Sequence, residues 1–165
     1  MREFYSRKAA SVFLLFVIIF CSAFTNRSEI GRVVGVSDGD TITILHDDYS
    51  QEKIRLFGID CPEKSQAFGQ RAKQFTSSFV YGRVVTIRRM DEDRYGRTIA
   101  WVFVGNTNVN AELVRAGYAW HYRKYANDPE LQKLEDEARK ARRGLWADPN
   151  PVAPWEYRAQ KRLFQ

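Results

Sequence analysis

Between Gly31 and Val104 the chain reads as a series of strand segments, two of them with strict alternation of polar and apolar positions, broken once by a stretch with helical spacing. Residues 31–37 (Gly-Arg-Val-Val-Gly-Val-Ser) are rich in β-formers and end at a turn dipeptide, Asp38-Gly39. Thr41-Ile42-Thr43-Ile44 alternates as a half-buried strand does. A polar loop from His46 to Glu52 leads to Lys53-Ile54-Arg55-Leu56, where Ile54 and Leu56 share one face and Lys53 and Arg55 the other. These segments predict three strands in a meander, the third stopped by Pro62. From Ala67 the period changes. Phe68, Ala72, Phe75 and Phe79 fall on one face of a helix, with Gly82 placed to cap it.

Strand character returns over residues 83–90 and, after the charged turn Asp91 to Gly96, from Arg97 to Val104. Asn110 is read as the cap of a short helix carrying Leu113 and Val114 and closed by Gly117. A longer helix starts at Asp128-Pro129, where aspartate caps and proline takes the first helical position. Leu131, Leu134, Ala138, Ala141 and Leu145 mark its buried stripe, and Glu135 with Arg139 and Asp136 with Lys140 are spaced for surface ion pairs. Beyond Trp146, prolines at 149, 151 and 154 read as an extended tail over residues 148–165. Five strands with one helix between the third and fourth, and about three helices in all, give an α+β chain built on a five-stranded OB-fold barrel.

Composition narrows the class. The chain of 165 residues is 44% apolar and 28% charged, the make-up of one folded domain rather than a disordered segment. A net charge of +6 favours a polyanionic partner, although many proteins that bind no nucleic acid share it. The N-terminus is a separate object: Arg2, Arg7 and Lys8 precede an uncharged run from Ala9 to Phe24. This reads as a secretory signal over residues 1–23, ending at Ala23, and the apolar run is shorter than the about 20 residues that span a membrane. An uncleaved anchor is the other reading. Removing residues 1–23 takes away three basic residues and Glu3 and leaves a charge of +4, with Cys61 as the one remaining thiol. The exported domain, residues 28–147, is then held by its core without a disulfide. The two histidines, His46 and His121, have no cysteine neighbours at zinc spacing.

Three separated stretches carry chemistry: Asp38-Gly39-Asp40-Thr41, then Arg55 through Asp60-Cys61-Pro62-Glu63, then Asp93-Arg94-Tyr95-Gly96-Arg97. Together they offer acidic oxygens, two arginines and a spare glutamate, the minimum for cutting a phosphodiester with a divalent cation. Taken singly each is bland. Asp-Gly is an ordinary turn, and Arg55 or Arg97 alone would pass for a surface strand residue.

At these motifs, from about Gly31 to Trp146, the chain resembles the staphylococcal nuclease family, also called thermonucleases or micrococcal nucleases. The resemblance implies an OB barrel, a calcium ion (Ca2+), and sugar-nonspecific cleavage of DNA and RNA that leaves 3′-phosphate ends. It implies Asp40 and Asp60 as metal ligands, with the backbone carbonyl of Cys61 as a third where the best-known member carries threonine. Arg55 and Arg97 would clamp the phosphate by two-pronged donation, and Glu63 would act as general base or water-orienting group. Arg94 and Tyr95 match residues that hold a neighbouring phosphate, and Tyr122 and Tyr125 lie where the family has tyrosines against a base or sugar. Unstacked single strands suit such a barrel, and a monomer is expected. The location implied is secreted, periplasmic or otherwise extracytoplasmic, with membrane contact only if the N-terminal segment stays uncleaved. The competing class is a noncatalytic OB-fold module that binds nucleic acid or a partner. Degenerate copies of the domain take that form by losing acidic and arginine positions that are all present here.

Overall fold

The computed structural model describes residues 28–163. The segment read as signal or anchor, residues 1–23, lies outside the described residues. Strands β1 (Ser28–Asp38), β2 (Thr41–Leu45), β3 (Gln51–Leu56), β5 (Val84–Glu92) and β6 (Thr98–Val104) are the staves of a barrel. Three two-residue strands accompany them: β4 (Ile59–Asp60), β7 (Thr107–Asn108) and β8 (Trp120–His121). The helices are α1 (Gly69–Val80), α2 (Val109–Arg115), α3 (Pro129–Lys140) and α4 (Pro154–Leu163), with a 3₁₀ turn at Gly144–Ala147.

The sheet runs β3-β2-β1-β5-β6, and a parallel pairing of β3 with β6 closes it. β1 bridges the two halves, since Ser28–Arg32 pairs with β5 while Arg32–Asp38 pairs with β2, with register shifts that bend it. The closing register sets Arg55 opposite Ile99 and Ile54 opposite Thr98. Closure therefore brings the end of β3 to the start of β6, which is how Arg55 and Arg97 come to one end of the barrel.

The alternation expected on β2 and β3 sorts their side chains as predicted, and β5 and β6 add to the same interior. Ile42, Ile44, Ile54, Leu56, Ile87 and Val102 fill the interior and are almost wholly excluded from water. Burying each such side chain contributes about 1.5–3 kcal/mol. A second, smaller cluster of Trp120, Ala138, Leu145, Trp146 and Ala153 lies under the C-terminal segments.

Several local expectations are corrected. The third strand stops at Leu56 rather than at Pro62, because Phe57-Gly58 turns with Gly58 at φ 74°, and β4 follows as a separate piece. On α1 the buried positions are Gly69, Ala72, Thr76 and Val80, while Phe75 and Phe79 flank the core. Asn108 caps α2, its side chain accepting from the Ala111 N–H. Asn110, read as that cap, is instead buried inside the helix, accepting from the Val102 N–H and donating to the carbonyls of Phe57 and Ala100. Asp128 and Pro129 open α3 as expected, but the helix ends at Lys140 and Ala141 is exposed. Glu135 does pair with Arg139, yet it is buried rather than solvated, and it also pairs with Arg123 and accepts from the His121 N–H. Asp136 accepts from Gln132 instead of meeting Lys140. The tail expected to be extended forms α4, with Pro154 at its first position, where a missing N–H costs nothing.

Asn110→Ala tests the packing of α2 on the barrel. It leaves the Val102 N–H and the Phe57 carbonyl without their partner, while the Ala100 carbonyl keeps the Phe57 N–H, and each buried group so orphaned costs about 1–3 kcal/mol. Urea denaturation is expected to show a loss of at least about 2 kcal/mol, and a loss below the experimental error would mean that water replaces the side chain.

Candidate active site

Asp40 stands in the two-residue turn between β1 and β2. Its Oδ2 accepts the Cys61 N–H at 2.7 Å, and its Oδ1 accepts from the Thr41 hydroxyl and meets the Arg55 guanidinium. The neighbouring aspartate, Asp38, has a turn role, accepting the Asp40 N–H at 3.3 Å. Gly39 is needed by packing: a Cβ there would lie 2.7 Å from Cys61 Cβ and 2.9 Å from Ala72 Cβ. From α1, the Thr76 hydroxyl donates to the Gly39 carbonyl at 2.6 Å and pins the turn.

Asp60 comes from β4, which pairs with β8 so that Asp60 faces Trp120 in register. Both acids are buried, Asp40 at 5% and Asp60 at 1% exposure. They converge on one fork: Arg55 Nη1 meets Asp40 Oδ1, and Arg55 Nη2 meets Asp60 Oδ1 at 2.8 Å. Two buried carboxylates side by side repel and are poorly solvated, so they need cations, and Arg55 supplies the first.

The second cation is Arg158, which no motif in the sequence marks. Nη2 of this α4 residue lies 2.7 Å from Asp60 Oδ2, and its Nη1 lies 2.8 Å from Glu63 Oε1 and 3.3 Å from Asp60 Oδ1. Burial works against its charge, but the bonds to Asp60 and Glu63 outweigh burial and hold it protonated. The signals of α4 were legible: proline at the start, Glu156 in the first turn, Lys161 and Arg162 in the last. Its contact with Asp60, 98 residues away, was not.

Glu63 sits on the loop after Pro62, half exposed at the rim. A tight turn holds it, with the Gln66 N–H donating to the Glu63 carbonyl at 2.8 Å. Gly69 makes that turn fit, since a Cβ there would lie 1.9 Å from the Glu63 carbonyl oxygen. Arg97 Nε donates to Asp93 at 2.7 Å, and its Nη1 reaches the Thr41 hydroxyl at 3.4 Å, which in turn bonds Asp40. Burial pushes the Asp93 carboxyl up, but hydrogen bonds from the Arg97 backbone and side chain hold it below its usual value. The acidic turn Asp91 to Asp93 is thus spent on orienting Arg97 and on solvent.

Arg94 and Tyr95 lie on the exposed turn beside Arg97, joined by a 2.7 Å hydrogen bond, and the Arg97 guanidinium stands 5.8 Å from the Tyr95 ring centre. They do not touch Asp40, Asp60 or Glu63. Tyr122 follows β8, its N–H donating to the Gly58 carbonyl. Its ring stacks on Trp155 of α4 at 5.0 Å and 3°, and Tyr125 meets it edge-on at 4.8 Å. His46 pairs with Glu52, and buried His121 bonds the Ala126 carbonyl, so neither histidine joins the acids.

Asp40 and Asp60 suit a hard cation. They are carboxylate donors from rigid, separate segments, and calcium takes oxygen ligands with waters completing the shell. The Cys61 thiol adds no soft ligand, because burial pushes its pKa well up and keeps it neutral. Among the described residues no third carboxylate, histidine or cysteine completes a cluster, so a carbonyl and water would supply the rest.

The chain is similar in sequence to known nucleases. The family model described as staphylococcal nuclease homologue matches residues 53–148. An uncharacterized endonuclease of Haemophilus influenzae is 41% identical over 158 residues, 96% of this chain and 89% of its own length. An uncharacterized endonuclease of Escherichia coli O157:H7 is 46% identical over 132 residues, 79% of this chain and 86% of its own. A micrococcal nuclease of Shigella flexneri is 41% identical over 139 residues, 78% and 79% of the two chains.

Proposed function

This chain belongs to the staphylococcal nuclease family, and from that premise we propose that it is a calcium-dependent nuclease hydrolysing phosphodiester bonds in DNA and RNA. The observation that carries the reading is the meeting of Asp40 and Asp60 on the fork of Arg55, with Glu63 at the open rim. Asp40, Asp60 and the Cys61 carbonyl would hold calcium. When bound there, calcium would neutralise a phosphate oxygen and help orient the attacking water.

The protein's own groups do the rest. Arg55 and Arg97 donate to the equatorial oxygens as negative charge gathers on five-coordinate phosphorus, so their bonds are strongest in the transition state. Glu63 orients the water or takes its proton. Attack in line with the departing 5′ oxygen leaves 3′-phosphate ends, the products that the family resemblance implies. Arg94, Tyr95, Tyr122 and Tyr125 would hold the flanking nucleotides through phosphate and ring contacts. Such contacts read no base edges and give little sequence preference. Stacking favours unpaired strands. We further take the protein to be exported, on the basic and then apolar N-terminal sequence.

The test is degradation of denatured DNA and of RNA by purified protein. Calcium is expected to support cleavage and a chelator to abolish it, with magnesium a poor substitute because it demands a stricter octahedron. Undiminished cleavage in chelator would overturn the metal assignment, and no cleavage in calcium would return the noncatalytic reading.

A further inference from the structure

Both oxygens of Asp60 are engaged by guanidinium groups. Its Oδ1 accepts from Arg55 and Arg158, and its Oδ2 accepts from Arg158. Glu63 Oε1 is held by the same guanidinium. Calcium binds carboxylate oxygens at about 2.3–2.6 Å. A dication at that distance from Asp60 would press against a guanidinium that cannot shed its proton. One of the two arginines must yield.

The two differ in how firmly they are mounted. Arg55 is 16% exposed, rises from a paired barrel strand, and bonds Asp40, Asp60 and the Ile59 carbonyl. Arg158 is 38% exposed and belongs to a helix that is anchored mainly at its start. Ala153 and Pro154 are buried there, while residues 159–163 are exposed. Between them, Trp155 stacks on Tyr122 and meets the edge of Trp120 at 5.5 Å, and the Tyr157 hydroxyl lies 3.0 Å from the Ser65 hydroxyl. An element with so few buried contacts opens at low cost.

We propose that α4 is a latch over the catalytic acids: Arg158 and a divalent cation compete for Asp60 and Glu63, and binding of the cation releases the helix. The inference rests on the reading of Asp40 and Asp60 as the cation site. It adds that the enzyme's own C-terminal helix sets the cation concentration at which that site fills. In a compartment poor in calcium, Arg158 keeps Asp60 and Glu63 paired. Where calcium is plentiful, the cation takes Asp60 and Glu63 is freed at the same moment.

The experiment is calorimetric titration of calcium into the wild-type protein, Arg158→Ala, Trp155→Ala and Asp40→Asn, with hydrogen exchange of residues 154–163 followed in parallel. Arg158→Ala leaves Asp60 paired with Arg55, and Trp155→Ala unseats the helix while keeping the guanidinium, so a folding defect in one variant leaves the other to report. Both are expected to bind calcium about tenfold more tightly, the factor recovered when a site that is open roughly a tenth of the time is opened fully. In the wild type, calcium should speed exchange across α4. In Arg158→Ala exchange should already be fast and indifferent to calcium. Calcium affinity unchanged or weakened in both variants, or slower exchange of α4 with calcium in the wild type, overturns the latch. Absence of calcium binding in every variant, or binding by Asp40→Asn equal to wild type, overturns instead the cation reading on which the latch stands.

Discussion

Replacing Arg55 with lysine is expected to lower single-turnover cleavage by roughly 10²–10³, the usual cost of a lost transition-state donor. Among the described residues Arg55 is the one side chain that meets both buried acids, with Asp40 on one arm of its fork and Asp60 on the other. A lysine ammonium is a single point charge and can serve one carboxylate at a time, so the alignment of both acids with the phosphate is lost while the local charge is kept. Equilibrium binding of the same oligonucleotide should shift far less, because attraction to phosphates is spread over many basic groups. The same replacement at Arg97 should act in the same direction, since Asp93 and Thr41 aim its guanidinium at this end of the barrel. The measurement is rate and affinity on one oligonucleotide, with urea denaturation to confirm folding. Turnover near wild type for both variants would reduce these arginines to structural charges.

Asp60→Asn and Asp40→Asn are expected to abolish most activity, by at least the same roughly 10²–10³, and saturating calcium should not restore it. Each change removes a negative charge and one of two carboxylate donors offered to a hard cation. The two variants should nevertheless differ elsewhere. Asp60 binds both Arg55 and Arg158, whereas Asp40 binds Arg55 and the Cys61 N–H. Asp60→Asn should therefore loosen α4 as well as the acid pair, and hydrogen exchange over residues 154–163 should rise in that variant alone. Breaking a buried pair costs about 3–5 kcal/mol at most, so stability must be measured beside activity. Full activity in either variant at ordinary calcium would mean that the cation sits elsewhere.

Much of the fold was legible because its determinants are local. Alternation assigns inward and outward faces on β2 and β3, and it did so correctly for Ile42, Ile44, Ile54 and Leu56. Asp128 with Pro129 marked the start of α3 through backbone donors that only a nearby side chain can satisfy. Where two residues could do one job, local reading chose wrongly. Asn108 and Asn110 both suit an N-cap, and only the position of β6 shows that Asn110 is spent on Val102 and Ala100. Glu135 has the spacing of a surface pair, and only the packing of α3 over β8 buries its carboxylate beneath two exposed arginines. The prolines after Trp146 looked like breaks, although one of them begins a helix.

The sequence by itself determined the barrel strands, the capped helix α3, and which acids and arginines could serve a phosphodiester and a cation, because period, capping and side-chain chemistry act within a few residues. Tertiary structure alone decided that β3 closes on β6 in parallel and so gathers Arg55 and Arg97 at one end. It alone decided that Asp40 and Asp60 share one guanidinium, and that α4 returns to set Arg158 between Asp60 and Glu63. These are contacts between segments far apart in the chain. They are fixed by burial and barrel closure, which no local window of sequence contains.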